Sequence, residues 1–194
     1  MAWNKKAFDE LRKYVKQSIS GKPSPVGVPF YIFVYRPEDE TICIREFKNF
    51  AKQLKNDGFK SQVIYLGQVL AKILDELPYL SPDGKEIEKR ERSSLKRELS
   101  KWLPKMVAEK LLNGIDNLFI PLAGMRQDSV TFFLRTGALF PFVHISQILA
   151  LLEGKTYSTI VVAFPGSLLR KQTATLSFLY ETEGTYYRAV VLGG

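Results

Sequence analysis

"SVTFFLRTGALFPFVHISQILALLEGKTYSTIVVAFPG" (residues 129–166) holds a strand, a helix and a second strand with little between them. The runs 129–135 and 158–166 are rich in β-branched and aromatic residues and nearly without charge. Such runs suit strands covered on both faces. Residues 141–153 carry apolar side chains at helical spacing. A strand, a helix and a strand in this order make one parallel crossover unit, which is right-handed in nearly all proteins.

The same rhythm extends outward from this stretch. "FYIFVYR" (30–36) is another apolar run, followed by the turn "PEDET" and a helix marked by Ile44, Phe47, Ala51 and Leu54. Asp57-Gly58 closes that helix in the manner of a glycine C-cap. "QVIYLG" (62–67) then leads into a helix through Val69, Ile73 and Leu77. Repeated alternation of strand and helix predicts a three-layer α/β fold with a mainly parallel sheet. It is a P-loop or Rossmann-like core, here without a Walker A sequence.

The remaining segments attach to that core as one domain over 1–194. Residues 1–20 form a basic amphipathic helix, with Asn4 as its N-cap and Phe8, Leu11, Val15 and Ile19 on its apolar face. "SGKPSPVGVP" (20–29) is a linker. Residues 80–114 are charged and helical, with a stripe of Leu95, Leu99, Leu103, Val107 and Leu111. Pro104 predicts two helices joined near Ser100, in an insertion lying beside the sheet. "NLFIPLAG" (117–124) reads as one more strand. At the C-terminus, 173–181 and 185–193 predict a β-hairpin at one edge.

With 45% hydrophobic and 25% charged residues, the composition is that of an ordinary globular domain. No stretch approaches the roughly 18 apolar residues of a membrane span. The charged start lacks a secretory h-region, and a cytoplasmic location is expected. Cys43 is the single cysteine and His144 the single histidine. That excludes an internal disulfide and any zinc site built from clustered cysteines, and no metal or cofactor is expected.

The net charge of +8 is concentrated. Residues 1–27 hold six basic and two acidic side chains, and residues 85–113 hold nine and five. Lys5, Lys6, Arg12, Lys13 and Lys16, with Lys89, Arg90, Arg92, Lys96 and Arg97, form a candidate surface for nucleic acid or an acidic partner. A pair of solvated helix faces accounts for the same pattern.

Catalytic signatures are incomplete. "EGKT" (153–156) resembles the end of a P-loop, but Leu149 stands where the first glycine belongs, and Gly154 follows a helix instead of a strand. The nucleophile elbow G-x-S-x-G is absent. An acidic hydrolase would need Asp39 and Asp128 to converge. Arg135-Thr136-Gly137 does stand between a strand and a helix, where backbone amides and a guanidinium can hold an anion. A tight turn requires glycine equally well. Tyr187 and Arg188, in "TYYRAVV", could stack on and contact a base, or pack at a sheet edge. No enzyme activity is predicted.

Taken together, "FYIFVYRPEDETICIREF", "FFLRTGALFPFVHISQILALLEGKTYSTIVVAFPGS" and "TYYRAVVL" resemble the BrxB family of BREX bacteriophage-exclusion systems. The likeness runs through most of residues 28–192. Arg45 matches an arginine after the first acidic turn. Arg135, Gly137, Ala138, Leu139 and Pro141 match the family's arginine-x-glycine-alanine-leucine turn. Phe164, Pro165 and Gly166 match its strand end, and Tyr187-Arg188 its close. Some relatives carry a second glycine in the first turn and an arginine where His144 stands. The resemblance implies a small component of a multi-gene antiphage system, with a phosphatase-like protein, a methyltransferase and a large ATPase as partners, and DNA as a further one. It transfers no catalytic residue. The function expected is a non-enzymatic adaptor bridging larger subunits. The alternative is a nucleotide- or nucleic-acid-binding module with an anion site at the strand carboxyl ends. Arg45, Arg135, Thr136, Gly137, His144, Gly166, Tyr187 and Arg188 are the candidate ligand residues.

Overall fold

A computed structural model describes residues 3–76, 92–113, 129–156, 158–170, 175–179 and 184–194. Five parallel strands form the centre of the sheet: β1 (Phe30–Tyr35), β2 (Lys60–Tyr65), β3 (Ser129–Leu134), β4 (Thr159–Arg170) and β7 (Val190–Gly193). Their order is β2-β3-β4-β1-β7. Every residue of β1 and β3 is buried, as the uninterrupted apolar runs require.

Helices cover both faces. On one lie α1 (Lys5–Ile19) and α2 (Glu40–Asn56), and on the other α3 (Leu66–Asp75), α4 (Arg92–Asn113) and α5 (Ile145–Leu152). The α1/α2 layer is fixed by an aromatic cluster. The Phe8 ring stands edge-on to Phe33 and Phe47 at 5.4 and 5.1 Å, and Phe132 meets Phe47 and Phe50 at 5.5 Å each. Each such pair contributes about 0.5–1.5 kcal/mol beyond its buried area. Arg12 and Lys16 hold α1 to α2 by their polar ends: Arg12 bonds Gln53 and lies over the Phe50 ring, and Lys16 pairs with Asp57 at 2.9 Å.

The strand alternation and the α1 and α2 helices stand as read, including the Asn4 cap, whose Oδ1 accepts from Ala7 N–H at 3.1 Å, and the turn at Gly58 with φ of 87°. Four features differ. The helix expected at 141–153 begins at Ile145. Residues Thr136–Leu139 form a 3-10 turn, and the Phe140–Pro141 bond is cis. His144 therefore precedes the helix instead of lying in its first turn.

Pro104 does not divide the second charged segment. α4 is continuous across it, because Leu99, Leu103, Val107 and Leu111 on one face are all buried among α3, α5 and the sheet. Packing along the whole stripe outweighs the single N–H that proline lacks. The described part of 80–114 is thus a layer helix, not a lobe beside the sheet.

The expected C-terminal hairpin forms, but 185–193 is not one strand. β5 (Thr175–Phe178) pairs antiparallel with the far half of β4, and β6 (Gly184–Tyr186) pairs with β5. The chain then breaks at 187–189 and returns as β7, parallel to β1. The strand expected at 117–124 lies outside the described residues.

Candidate functional site

The direction of the connections locates the crevice of this sheet. β1 leaves toward α2 on one face, whereas β4 continues into β5, whose Leu176 belongs to the core on the other face. Adjacent strands leaving to opposite sides open a gap at their carboxyl ends, where open α/β sheets bind ligands. A cavity of about 500 Å³ lies there. β1 supplies Phe33, Val34 and Tyr35, β4 supplies Gly166, and the start of α1 supplies Trp3, Asn4, Lys5 and Lys6. Arg36, Asp39 and Gly194 complete the lining, Arg36 Nη2 and Nε donating to Asp39 Oδ2 at 2.8 and 3.0 Å.

Buried behind this cavity are Tyr35 and Cys43. Desolvation pushes the Tyr35 phenol well above its usual range, reinforced by Cys43 and Glu40, with Arg135 opposing. Burial, then Glu40 and Asp39, likewise pushes the Cys43 thiol upward. Both groups stay protonated at neutral pH and supply no anionic nucleophile.

Arg135 follows β3 in the left-handed region, at φ 54° and ψ 42°, and its side chain is exposed. It lines a second cavity of about 470 Å³ with Lys48, Tyr65, Gly67 and Gln68. Two amides beyond it are occupied: Ala138 N–H donates to Arg135 O and Phe140 N–H to Gly137 O, each at 3.2 Å. Thr136 is buried, its Oγ1 donating to Ala163 O at 2.7 Å. Gly137 sits against Pro165. Gly166 is glycine because a Cβ there would stand 2.0 Å from Ser177 O of β5.

The other expected ligand residues lie elsewhere. Arg45 is exposed on α2 and pairs with Glu46 at 3.4 Å. His144 is exposed and its N–H donates to Gln147 Oε1 at 3.0 Å, capping α5. Tyr187 is only 5% exposed and packs edge-on to Phe164 at 5.6 Å. Arg188 pairs with Glu153 just beyond α5, toward the amino ends of the strands. Gly154 turns the chain between α5 and β4, the reverse of a P-loop. Asp39 faces Arg36, and Asp128 lies outside the described residues.

Of the basic side chains, Lys5, Lys6 and Lys13 are exposed and make no ion pair among the described residues, while Arg12 and Lys16 are committed to α2. Arg97 is exposed on α4. Lys89 and Arg90 lie outside the described residues, and of Arg92 and Lys96 only the helical backbone is described. Since α1 and α4 cover opposite faces of the sheet, the two basic segments do not make one surface.

The family model described as BREX protein BrxB matches residues 63–192, more than half of the chain. The chain belongs to the BrxB family. BrxB proteins are components of BREX antiphage systems, which places this fold in phage defence. No curated protein and no solved structure matches the chain. No helix among the described residues of this BrxB protein is long and apolar enough to cross a membrane.

Sequence reasoning missed Arg36, Trp3 and Tyr35 at the main cavity. A signal for Arg36 was present: "FYIFVYR" and "SVTFFLR" both close an apolar strand on an arginine. Parallel pairing then brings both guanidinium groups to the carboxyl edge of the sheet.

Proposed function

We propose that this BrxB protein is a non-enzymatic adaptor of the BREX machinery, bridging larger subunits in the cytoplasm. The partners are the phosphatase-like protein, the methyltransferase and the large ATPase, with DNA as a further contact through the basic face of α1. The observation that carries this reading is the antiparallel arm formed by the far half of β4 with β5 and β6. Both exposed large hydrophobic residues among the described residues belong to it: Leu169 at 46% and Leu179 at 40% exposure. Leu169 sits where the β4–β5 register shifts, a bulge of the kind that turns a side chain outward. Exposed leucines scattered singly need no explanation, but two on one antiparallel unit favour a protein contact.

The test is a double variant, Leu169→Asp with Leu179→Asn. Asparagine suits the positive φ of 45° at residue 179. The variant keeps its melting temperature, since both side chains already face solvent, yet fails to restore phage exclusion to a host lacking the gene. Full restoration by a stably folded variant contradicts the adaptor reading.

A further inference from the structure

The crevice cavity contains an imbalance that the fold itself does not need. α1 carries cations along its whole length, and apart from Lys13, exposed away from the cavity, they fall into two groups. Arg12 and Lys16 are tied down by Gln53, Asp9 and Asp57. Lys5 and Lys6 line the cavity and make no ion pair among the described residues. They also occupy the first turn of their helix, which holds no acidic residue. That is the end at which the helix dipole disfavours positive charge. Arg36 adds a third cation, its guanidinium oriented by Asp39, the one acidic side chain in the lining. Two exposed lysines without an ion pair among the described residues, beside an arginine held by Asp39 around a concave site, favour an anion there.

The rest of the lining is not that of a simple phosphate site. The half-buried Trp3 ring lies 5.2 Å from Phe33 and 5.5 Å from Phe8, forming an aromatic wall backed by the core. A volume of about 500 Å³ lies within the range of sites that hold small organic ligands. Aromatic wall and cationic rim together match a planar heterocycle joined to phosphate groups.

We propose that this cavity binds a nucleoside phosphate, with Lys5, Lys6 and Arg36 holding the phosphates and Trp3 stacking on the base. The ligand takes the position that sheet topology assigns to one, in a core that has no Walker A sequence. This inference is independent of the adaptor reading, because it concerns the carboxyl ends of β1 and β4 and not the exposed leucines of the arm.

The experiment is isothermal titration of the full chain with ATP, GTP, adenosine, inorganic phosphate and a short single-stranded oligonucleotide at physiological salt. At least one nucleoside triphosphate binds with a dissociation constant below about 1 mM, and adenosine and inorganic phosphate each bind at least roughly tenfold more weakly. Lys5→Ala with Lys6→Ala weakens the nucleotide roughly tenfold or more while the thermal melting curve is unchanged, since both side chains are exposed. Trp3→Leu weakens the nucleotide and leaves the weak phosphate binding as it was. The proposal is overturned by absence of nucleotide binding, by equal affinity in the lysine variant, by phosphate binding as tightly as ATP, or by binding of the oligonucleotide alone.

Discussion

Cys43 shows how far a single side chain is governed by its layer. It projects from α2 into the aromatic core at 1% exposure, with Tyr35, Asp39 and Glu40 near it, and its thiol is held protonated. The folded protein therefore binds this proton more tightly than the unfolded chain does. The stability so gained is complete below the ordinary thiol pKa of about 8.5 and is lost as pH rises above it. Unfolding free energies from urea titrations should be flat from pH 7 to about 8.5 and then fall, by roughly 1 kcal/mol per pH unit, with a Cys43→Ala variant falling less steeply. A maleimide should label native Cys43 at least about a hundredfold more slowly than the denatured chain. Sequence identified Cys43 as a lone cysteine but could not place it, because burial depends on which face of α2 meets β1. Arg36 was harder still. Followed by "PEDET", it reads as the start of a turn, and only the pairing of β1 with β4 reveals that it borders the crevice.

Elements were legible where one pattern ruled and opaque where long-range pairing competed with it. β1, β3 and the first half of β4 were plain from their apolar runs, and α2 from its spacing and its Asp57-Gly58 end. α5 and the C-terminal strands were displaced by features with no local signature. Residues 141–144, assigned to the start of α5, instead connect the 3-10 turn at Thr136–Leu139 to Ile145, and the break at 187–189 divides β6 from β7. Gly166 marks the point where β4 changes from a core strand to the base of the arm. Gly166→Ala should force β5 away from β4, because its Cβ would meet Ser177 O at 2.0 Å. The expected cost is about 3 kcal/mol, read as a lower melting temperature. Faster hydrogen exchange confined to 175–178 would accompany it. A neutral effect would mean that the β4–β5 pairing contributes little to the fold.

The molecule combines a closed core with two differently equipped outer regions. Alternation of strands and helices foretold the parallel sheet and its two helical layers. It could not give the order β2-β3-β4-β1-β7, since alternation constrains the direction of strands and not their neighbours. That order is what opens the crevice at β1 and β4, while β5 packs on the α3/α4/α5 face. It also puts the two basic segments on opposite faces, so a partner that grips α1 does not reach α4 by the same surface. Membership of the BrxB family gives the biological setting. In the proposed adaptor role, the arm with its exposed Leu169 and Leu179 is the means of attachment. The most direct test is purification of the tagged protein from a phage-resistant host, with and without nuclease, followed by mass spectrometry. The adaptor reading predicts that at least one larger BREX subunit is recovered in near-stoichiometric amount, survives nuclease treatment and is lost with the Leu169→Asp, Leu179→Asn variant. Recovery of the protein alone, or of subunits that disappear with nuclease, would contradict it.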